Sequence, residues 1–600
     1  MKSNLHYLSS KLGSLCSCSC IKVACLGKSF HRLIPCLYRY LIFNFKSFWS
    51  QFCYFMCISI MGCLTLGFLK PRASSSPPEY LDMFFTSVSA TTVSSMSTVE
   101  MEVFSNNQLV VLTILMFLGG EVFTCFLELQ VEKSKLITER NKKERSTNTV
   151  VHDDPQLELG ELESNGSYVT VNDNVIRSIT HYSSSTSDHE DLKYNSVKYL
   201  GYVLLGYLSA FLGGGSILVY IYMKFVPSAS EVLEGKGIDP LTFSVFSIVS
   251  SFVNCGYIPT NENMVVFRKN SCLLLLIIPQ VLFGNTLFPV CLRFVLWVLG
   301  RFSTNDKLHH ILKVTSKDEI IRHPAKEILI STISSLYFLA TVLGFILVQF
   351  ILFCSLEWNS EGLHGMNSYQ KFVGALFQTV NSRHAGENIV DLSTISPAVL
   401  VVFVVMMLVS LNPICLSFLL RVLNENPSAH ILFLLRVSNE YSVPSTIHFI
   451  STSQVNIIDE QQSMTGSCDR ETKRQPRRRI VDNLLFSQLS YLVIFITIIC
   501  IIERKKLKDD PLNYNVFNIT IEVISAYGNV GFTAGYSCKR LLIPNDQCKD
   551  MMYGFVGRWS NGGKIMLIMV MVFGRLKKFN LKGGRAWKSN CLEKGSSIVS

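Results

Sequence analysis

The chain has 600 residues, of which 48% are hydrophobic and only 16% charged, with a formal net charge of +11. Soluble domains carry about 25% charged residues. So little charge over so much apolar sequence excludes a disordered chain, a collagen-like fibre and a nucleic-acid-binding domain, so no nucleic-acid partner is expected. Nineteen Cys in 600 residues are too few for a secreted disulfide scaffold. What remains is an all-α polytopic membrane protein, in which positive charge collects in cytoplasmic loops.

A span needs about 20 apolar residues. In chain order the candidates are 45–69, 108–129, 197–225, 271–299, 328–356, 398–422, 484–502 and 563–574, the last beginning near 556. Basic linkers follow the even spans, as in Lys133–Arg145, 301–326, Arg470–Arg479 and 577–585. With Lys22, Lys28, Arg32, Arg39 and Lys46 ahead of the first span, they place both termini and the even linkers in the cytoplasm. Arg504, Lys505, Lys506 and Lys508 dissent, falling on the outer side after the seventh span. The organisation expected is an N-terminal tail (1–43), four units (44–130, 196–302, 327–423, 484–576), linkers at 131–195, 303–326 and 424–483, and a C-terminal tail (577–600). The 131–195 linker, rich in Ser, Asn and acids, reads as a flexible loop. Cys16, Cys18 and Cys20 alternate with serines, a spacing too tight for a zinc site.

The outward connectors repeat a short motif. Eight-residue segments starting at Ser89, Ser250, Val380 and Ser525 align without gaps, and their seventh positions are Ser95, Gly256, Gly386 and Gly531. Each follows a stretch of pore-helix length: 80–89, 241–250, 369–379 and 514–524. Irregular backbone at membrane depth is tolerated where it lines protein or a water-filled path. Four such loops around one axis can replace an ion's water shell with carbonyls, and glycine supplies the positive φ that this turn needs.

These motifs resemble the plant HKT high-affinity potassium transporters, relatives of the bacterial and fungal Trk/Ktr proteins. The resemblance is carried by "FFTSVSATTVSSMSTVEMEVFSNNQL" (84–109), "ILMFLGGEVFT" (114–124), "NCGYIPTNENM" (254–264), "QTVNSRHAGEN" (378–388), "SAYGNVGFTAGYS" (525–537) and the C-terminal segment 557–579. It implies eight transmembrane helices in four membrane–pore loop–membrane units around one central pore, with homodimers common among relatives. It also implies a filter of Ser95, Gly256, Gly386 and Gly531. Serine in the first loop implies Na⁺ selectivity, whereas glycine in all four implies transport of Na⁺ and K⁺. A Cβ at Ser95 penalises left-handed backbone, so one well-aligned carbonyl is expected to be lost, and the hydroxyl to protrude into the path.

Other residues keep two readings open. Glu100, Glu102 and Glu262 form either an acidic outer mouth that concentrates cations or solvated loop carboxylates. Arg558 and Lys564 either modulate passage by repulsion, as the resemblance implies, or snorkel to an interface. Asn412-Pro413 breaks the sixth span, as a kink or as a gate support. Cys538 and Cys548 are either a disulfide or free thiols. The Asn518 sequon lies in a pore helix and is expected to be unused. Gly213–Gly215 suits close helix packing.

The function expected is passive transport of monovalent cations across the plasma membrane, Na⁺ first, with Na⁺/K⁺ cotransport or K⁺ uptake as the alternative. No arginine-periodic voltage sensor, phosphate-binding loop, metal-ligand motif or catalytic constellation accompanies it, so neither an enzyme nor a cofactor is expected.

Overall fold

The structure, a computed structural model, describes residues 47–72, 78–150, 173–302, 332–408, 488–542 and 548–578. Asn412-Pro413, the Arg470–Arg479 cluster and the cysteines of the N-terminal tail lie outside these residues. Sixteen α-helices are numbered here in chain order. They are α1 (Ser47–Phe68), α2 (Tyr80–Thr91), α3 (Asn106–Gly119), α4 (Glu121–Val150), α5 (Asp173–Phe225), α6 (Pro227–Lys236), α7 (Pro240–Phe252) and α8 (Ser271–Phe283). The remainder are α9 (Phe288–Phe302), α10 (Thr332–Glu357), α11 (Ser368–Asn381), α12 (Pro397–Leu408), α13 (Gln488–Ile502), α14 (Arg504–Asp509), α15 (Val516–Gly528) and α16 (Asn561–Lys578).

Among the described residues, three helices are long and apolar enough to cross a bilayer: Ser50–Phe68, Tyr194–Phe225 and Ser335–Glu357, with mean hydropathies of 1.6, 1.7 and 2.4. Bent pairs raise that number to five. Large apolar side chains stand exposed along them, among them Met61, Ile217, Leu336 and Leu347. Water would disfavour such a surface, and hydrocarbon would not. The chain is a multi-pass helical membrane protein.

Two of the expected spans are broken. The 108–129 stretch bends by 56° between α3 and α4, and the 271–299 stretch by 88° between α8 and α9. The first break falls at Gly119-Gly120 and the second just after Gly284, where side chains are too small to hold a ladder straight. Both breaks also allow close approach. A Cβ on Gly119 would lie 2.0 Å from the Thr91 carbonyl oxygen, and one on Gly284 1.7 Å from that of Phe252. Gly574 of α16 faces Tyr527 in the same way, at 2.1 Å. Thr91, Phe252 and Tyr527 each stand four residues before a seventh-position motif residue, so one packing device recurs in register.

The 131–195 segment is not a loop at its described ends. Residues 131–150 continue α4 and 173–195 open α5, and the two helices pack together. In the 131–150 part, Lys, Glu, Arg and Leu are good helix formers, and the Ser-, Asn- and acid-rich composition of the whole segment concealed that preference. In the glycine run of α5, only Gly215 meets a neighbour, namely Gln280 of α8 and Ile248 of α7.

The short helices α2, α7, α11 and α15 form the centre. Asp239, Asn367 and Asn515 cap three of them through side-chain oxygens. Helices α2, α7 and α15 each pack between two apolar helices of their own segment, α1 and α3, α5 and α8, α13 and α16, and α11 packs against α10. The contacts also run onward. Helix α3 touches α7, α8 touches α11, α12 touches α15, and α16 returns to α2. Buried carboxylates tie the ends of two segments. Glu357 accepts from Ser396 N (2.8 Å) just ahead of α12, and Glu503 from Ser560 N (2.8 Å) just ahead of α16.

Candidate ion-conduction site

The C-terminal ends of α2, α7, α11 and α15 converge, and a helix C-terminus carries about half a negative charge. Three of the four end alike. Ser94 N donates to Ser89 O (2.9 Å), Cys255 N to Ser250 O (2.8 Å) and Val530 N to Ser525 O (3.0 Å). The left-handed residues in these turns are Val93 (φ 50°), Asn254 (φ 59°) and Asn529 (φ 51°). This is the Schellman closure, in which asparagine is at home and valine is strained. The α11 turn differs: Gly386 N donates to Asn381 O (3.1 Å), and buried His384 places Nδ1 2.7 Å from Val380 O.

Two residues after the Schellman position the chain turns left-handed again. Ser95 has φ 53°, Gly256 87°, Gly386 73° and Gly531 97°. The expectation that Ser95 gives up this geometry does not hold: its backbone follows the three glycines. Neighbouring groups enforce it. Ser94 Oγ lies 2.8 Å from Thr92 Oγ1 and accepts from Asn529 Nδ2 (2.7 Å), which clamps the loop between strained Val93 and Ser95.

The four positions adjoin one another in turn. A Cβ on Gly256 would stand 1.6 Å from Ala385 O and 3.3 Å from Ser95 Oγ. One on Gly386 would stand 2.2 Å from Val530 O, and one on Gly531 2.2 Å from the Ser95 Cβ. Cross-ties join the loops: Tyr257 Oη donates to Met96 O (2.6 Å), Ser251 Oγ to Glu387 Oε1 (2.5 Å), and Asn388 N to Asn263 Oδ1 (3.2 Å). Among the described residues, the carbonyls of Ser94, Ser95, Cys255, Ala385, Gly386, Val530 and Gly531 accept no hydrogen bond. Most buried carbonyls are paired with donors, so a cluster of open acceptors is an arrangement suited to a cation.

A cavity borders this ring, lined in part by Ser95, Gly531, Tyr257, Thr533, Asn263, Asn388, Glu262 and Asp391. Of the three mouth acids, Glu262 lies on it and each has a lysine partner. Lys236 Nζ reaches Glu102 Oε1 at 2.5 Å and Glu262 Oε2 at 2.6 Å, and Lys549 pairs with Glu100. Partial burial pulls the Lys236 ammonium down, but the hydrogen bonds it donates to both carboxylates outweigh it and hold the group above its usual value.

Lys564 and Arg558 have partners of their own. Lys564 is buried and pairs with Asp82 of α2 at 2.6 Å, so it does not snorkel to an interface. Arg558 is exposed, donates to Lys549 O (3.1 Å) and lies 5.1 Å from the Tyr536 ring. Lys506, one of the dissenting bases, donates to Arg558 O at 2.5 Å, and this contact holds it on that surface. A disulfide joins Cys538 and Cys548, whose Cα atoms are 5.8 Å apart. Asn518 is buried and donates to Asn513 O (2.9 Å), so its amide is not available to a glycan.

Several buried ionisable residues escaped the sequence reading, Glu387, Glu522 and Arg575 among them. Glu387 follows Gly386 directly, Glu522 accepts from Thr533 Oγ1 (2.6 Å) and Ala534 N (2.9 Å), and Arg575 donates to the Gly119 carbonyl beside Phe55. A usable signal existed, because an ionisable group inside an apolar membrane segment is costly and seldom idle.

A family profile described as TrkH, cation transport protein, matches residues 167–581. The rice cation transporter HKT1;3 is 44% identical over 89% of this chain and 90% of its own length. The Arabidopsis thaliana sodium transporter HKT1 is 46% identical over 86% and 90%. The crystal structure of the potassium transporter TrkH from Vibrio parahaemolyticus aligns with a TM-score of 0.45 at 14% identity, covering 89% of this chain and 83% of that one. Shared across nearly the whole length, the likeness settles the family: the chain belongs to the TrkH cation transport proteins, within their plant HKT group, and its relatives are transporters, not enzymes.

Proposed function

We propose that the chain carries Na⁺ in preference to K⁺, passively, through one path bounded by the Ser95, Gly256, Gly386 and Gly531 loops. Eight transmembrane helices in four units surround that path. The basic even linkers put both termini in the cytoplasm, and the membrane is the plasma membrane. The carrying observation is the ring of buried carbonyls without donors at the ends of four short helices. Neutral dipoles turned inward can stand in for a lost water shell, and the helix ends add negative potential from behind.

The role of Ser95 follows from its side chain and not from its backbone. Its Cβ and Oγ occupy the seam beside Gly531, where the other loops have only hydrogen. An ion that keeps part of its water and uses fewer carbonyls tolerates a narrowed seam. An ion that needs several carbonyls at once does not. One observation favours the alternative of Na⁺/K⁺ cotransport or K⁺ uptake: at φ 53° the first loop keeps the glycine-like turn. Voltage clamp of the full chain in separate Na⁺ and K⁺ baths separates the two. Wild type should follow external Na⁺ with little response to K⁺, and Ser95→Gly should gain a K⁺ response. A wild type that follows K⁺ as steeply as Na⁺ refutes the Na⁺ reading.

A further inference from the structure

Two of the mouth acids meet on a lysine that comes from elsewhere in the chain. Lys236 is the last residue of α6, and Gly237, at φ 62°, turns the backbone away immediately afterwards. Its main chain is held too, since Lys236 O accepts from Arg72 Nη1 at 2.8 Å. Glu102 is fixed by Asn261: Oε1 accepts from Asn261 N (2.9 Å) and Glu102 N donates to Asn261 Oδ1 (3.2 Å). Asn261 and Glu262 border the same cavity as Ser95 and Gly531. The lysine therefore bridges the segments that follow the first and second loops, within electrostatic reach of the ring.

The geometry resembles that of a bound metal. One point, the Lys236 Nζ, has carboxylate oxygens of two residues at 2.5 and 2.6 Å, and Ca²⁺–oxygen distances run about 2.3–2.6 Å. An ammonium is a compact point charge, and here it arrives on a stem anchored at both ends of its own residue. We propose that Lys236 is a tethered cation that fills a two-carboxylate site at the mouth, keeps external divalent cations off it, and sets how strongly the mouth concentrates the transported ion. With the lysine in place the trio carries one net negative charge. Without it there would be two, converging on one point. The inference rests on reading the ring as the conduction path.

The test is voltage clamp of the full-length protein, titrating external Na⁺ with and without Ca²⁺. Lys236→Gln should lower half-saturating Na⁺ by roughly threefold to tenfold, because a second uncompensated charge raises the local cation concentration. It should also make the current sensitive to external Ca²⁺ near about 1 mM, the range of open extracellular calcium sites. The wild type should be nearly indifferent to the same Ca²⁺. The triple variant Glu102→Gln, Lys236→Gln, Glu262→Gln should lose that sensitivity. The pair Glu102→Gln, Glu262→Gln leaves the ammonium uncompensated and should raise half-saturating Na⁺. This shift has the opposite sign and decides the matter even where Lys236→Gln does not reach the surface. Unchanged Na⁺ dependence and Ca²⁺ response in a conducting Lys236→Gln protein overturn the inference alone, as does Ca²⁺ inhibition that survives in the triple variant. A surface-expressed wild type that passes no cation current overturns the conduction reading, and the inference with it.

Discussion

The ring and the mouth handle cations by opposite means. In the ring, no acid or base stands at the four turning positions, and among the described residues most of the carbonyls around them accept no hydrogen bond, Gly256 O meeting Asn263 Nδ2 at 3.5 Å. At the mouth, each of the three carboxylates meets a lysine. The difference teaches where selectivity can reside. A bare carboxylate attracts any cation, monovalent or divalent, whereas a set of backbone dipoles at fixed spacing responds to size and hydration. A mouth with most of its charge offset leaves the choice to the ring.

Three substitutions probe this contrast beyond the Ser95 and Lys236 variants, in descending order of effect. Gly256→Ala should be the most severe. Its Cβ would sit 1.6 Å from Ala385 O at a left-handed φ, a combination expected to cost about 4 kcal/mol, the upper end of single-substitution effects. Current should vanish and detergent-extracted protein should lose thermal stability. If current survives, the ring is looser than its packing implies. Next, Lys564→Met strands Asp82 in a buried site, which typically costs about 3–5 kcal/mol. The double variant Asp82→Asn, Lys564→Met should recover most of that stability with ion preference unchanged. A changed reversal potential in the double variant would return Lys564 to the ion path. Smallest is Lys549→Gln, whose own side chain is 70% exposed while that of its partner Glu100 is 20% exposed. Exposed pairs contribute about 0–1 kcal/mol, so stability should barely move. Any gain in Na⁺ affinity should be well below that of Lys236→Gln, because Lys549 is largely exposed and meets one acid, whereas Lys236 is partly buried between two.

The ring was legible in advance because its requirements are local. A left-handed turn after a short apolar helix selects glycine or asparagine wherever it occurs, so a gapless comparison of four segments found Ser95, Gly256, Gly386 and Gly531. The same comparison misjudged Ser95, whose backbone is held left-handed by the clamp on Ser94 from Asn529, more than four hundred residues away in the chain. The mouth was only half legible. Glu100, Glu102 and Glu262 were visible as acids near the loops, but nothing in their spacing announces Lys236 or Lys549. Lys564 was read against the last span, although its partner, Asp82, begins the first short helix. The broken spans at Gly119 and Gly284 were missed for a related reason. Hydropathy averages over a window, and a bend costs that average nothing.

By itself the sequence determined the class of molecule, the four loops and the identity of their turning residues, since apolar length and turn chemistry act over a few neighbours. Tertiary structure alone decided which side chains neutralise which. It also decided where the spans break and that a serine keeps a glycine's conformation. Each of these depends on groups that meet only after the short helices close on one another, when burial makes an unpartnered charge or carbonyl expensive enough to select its neighbour.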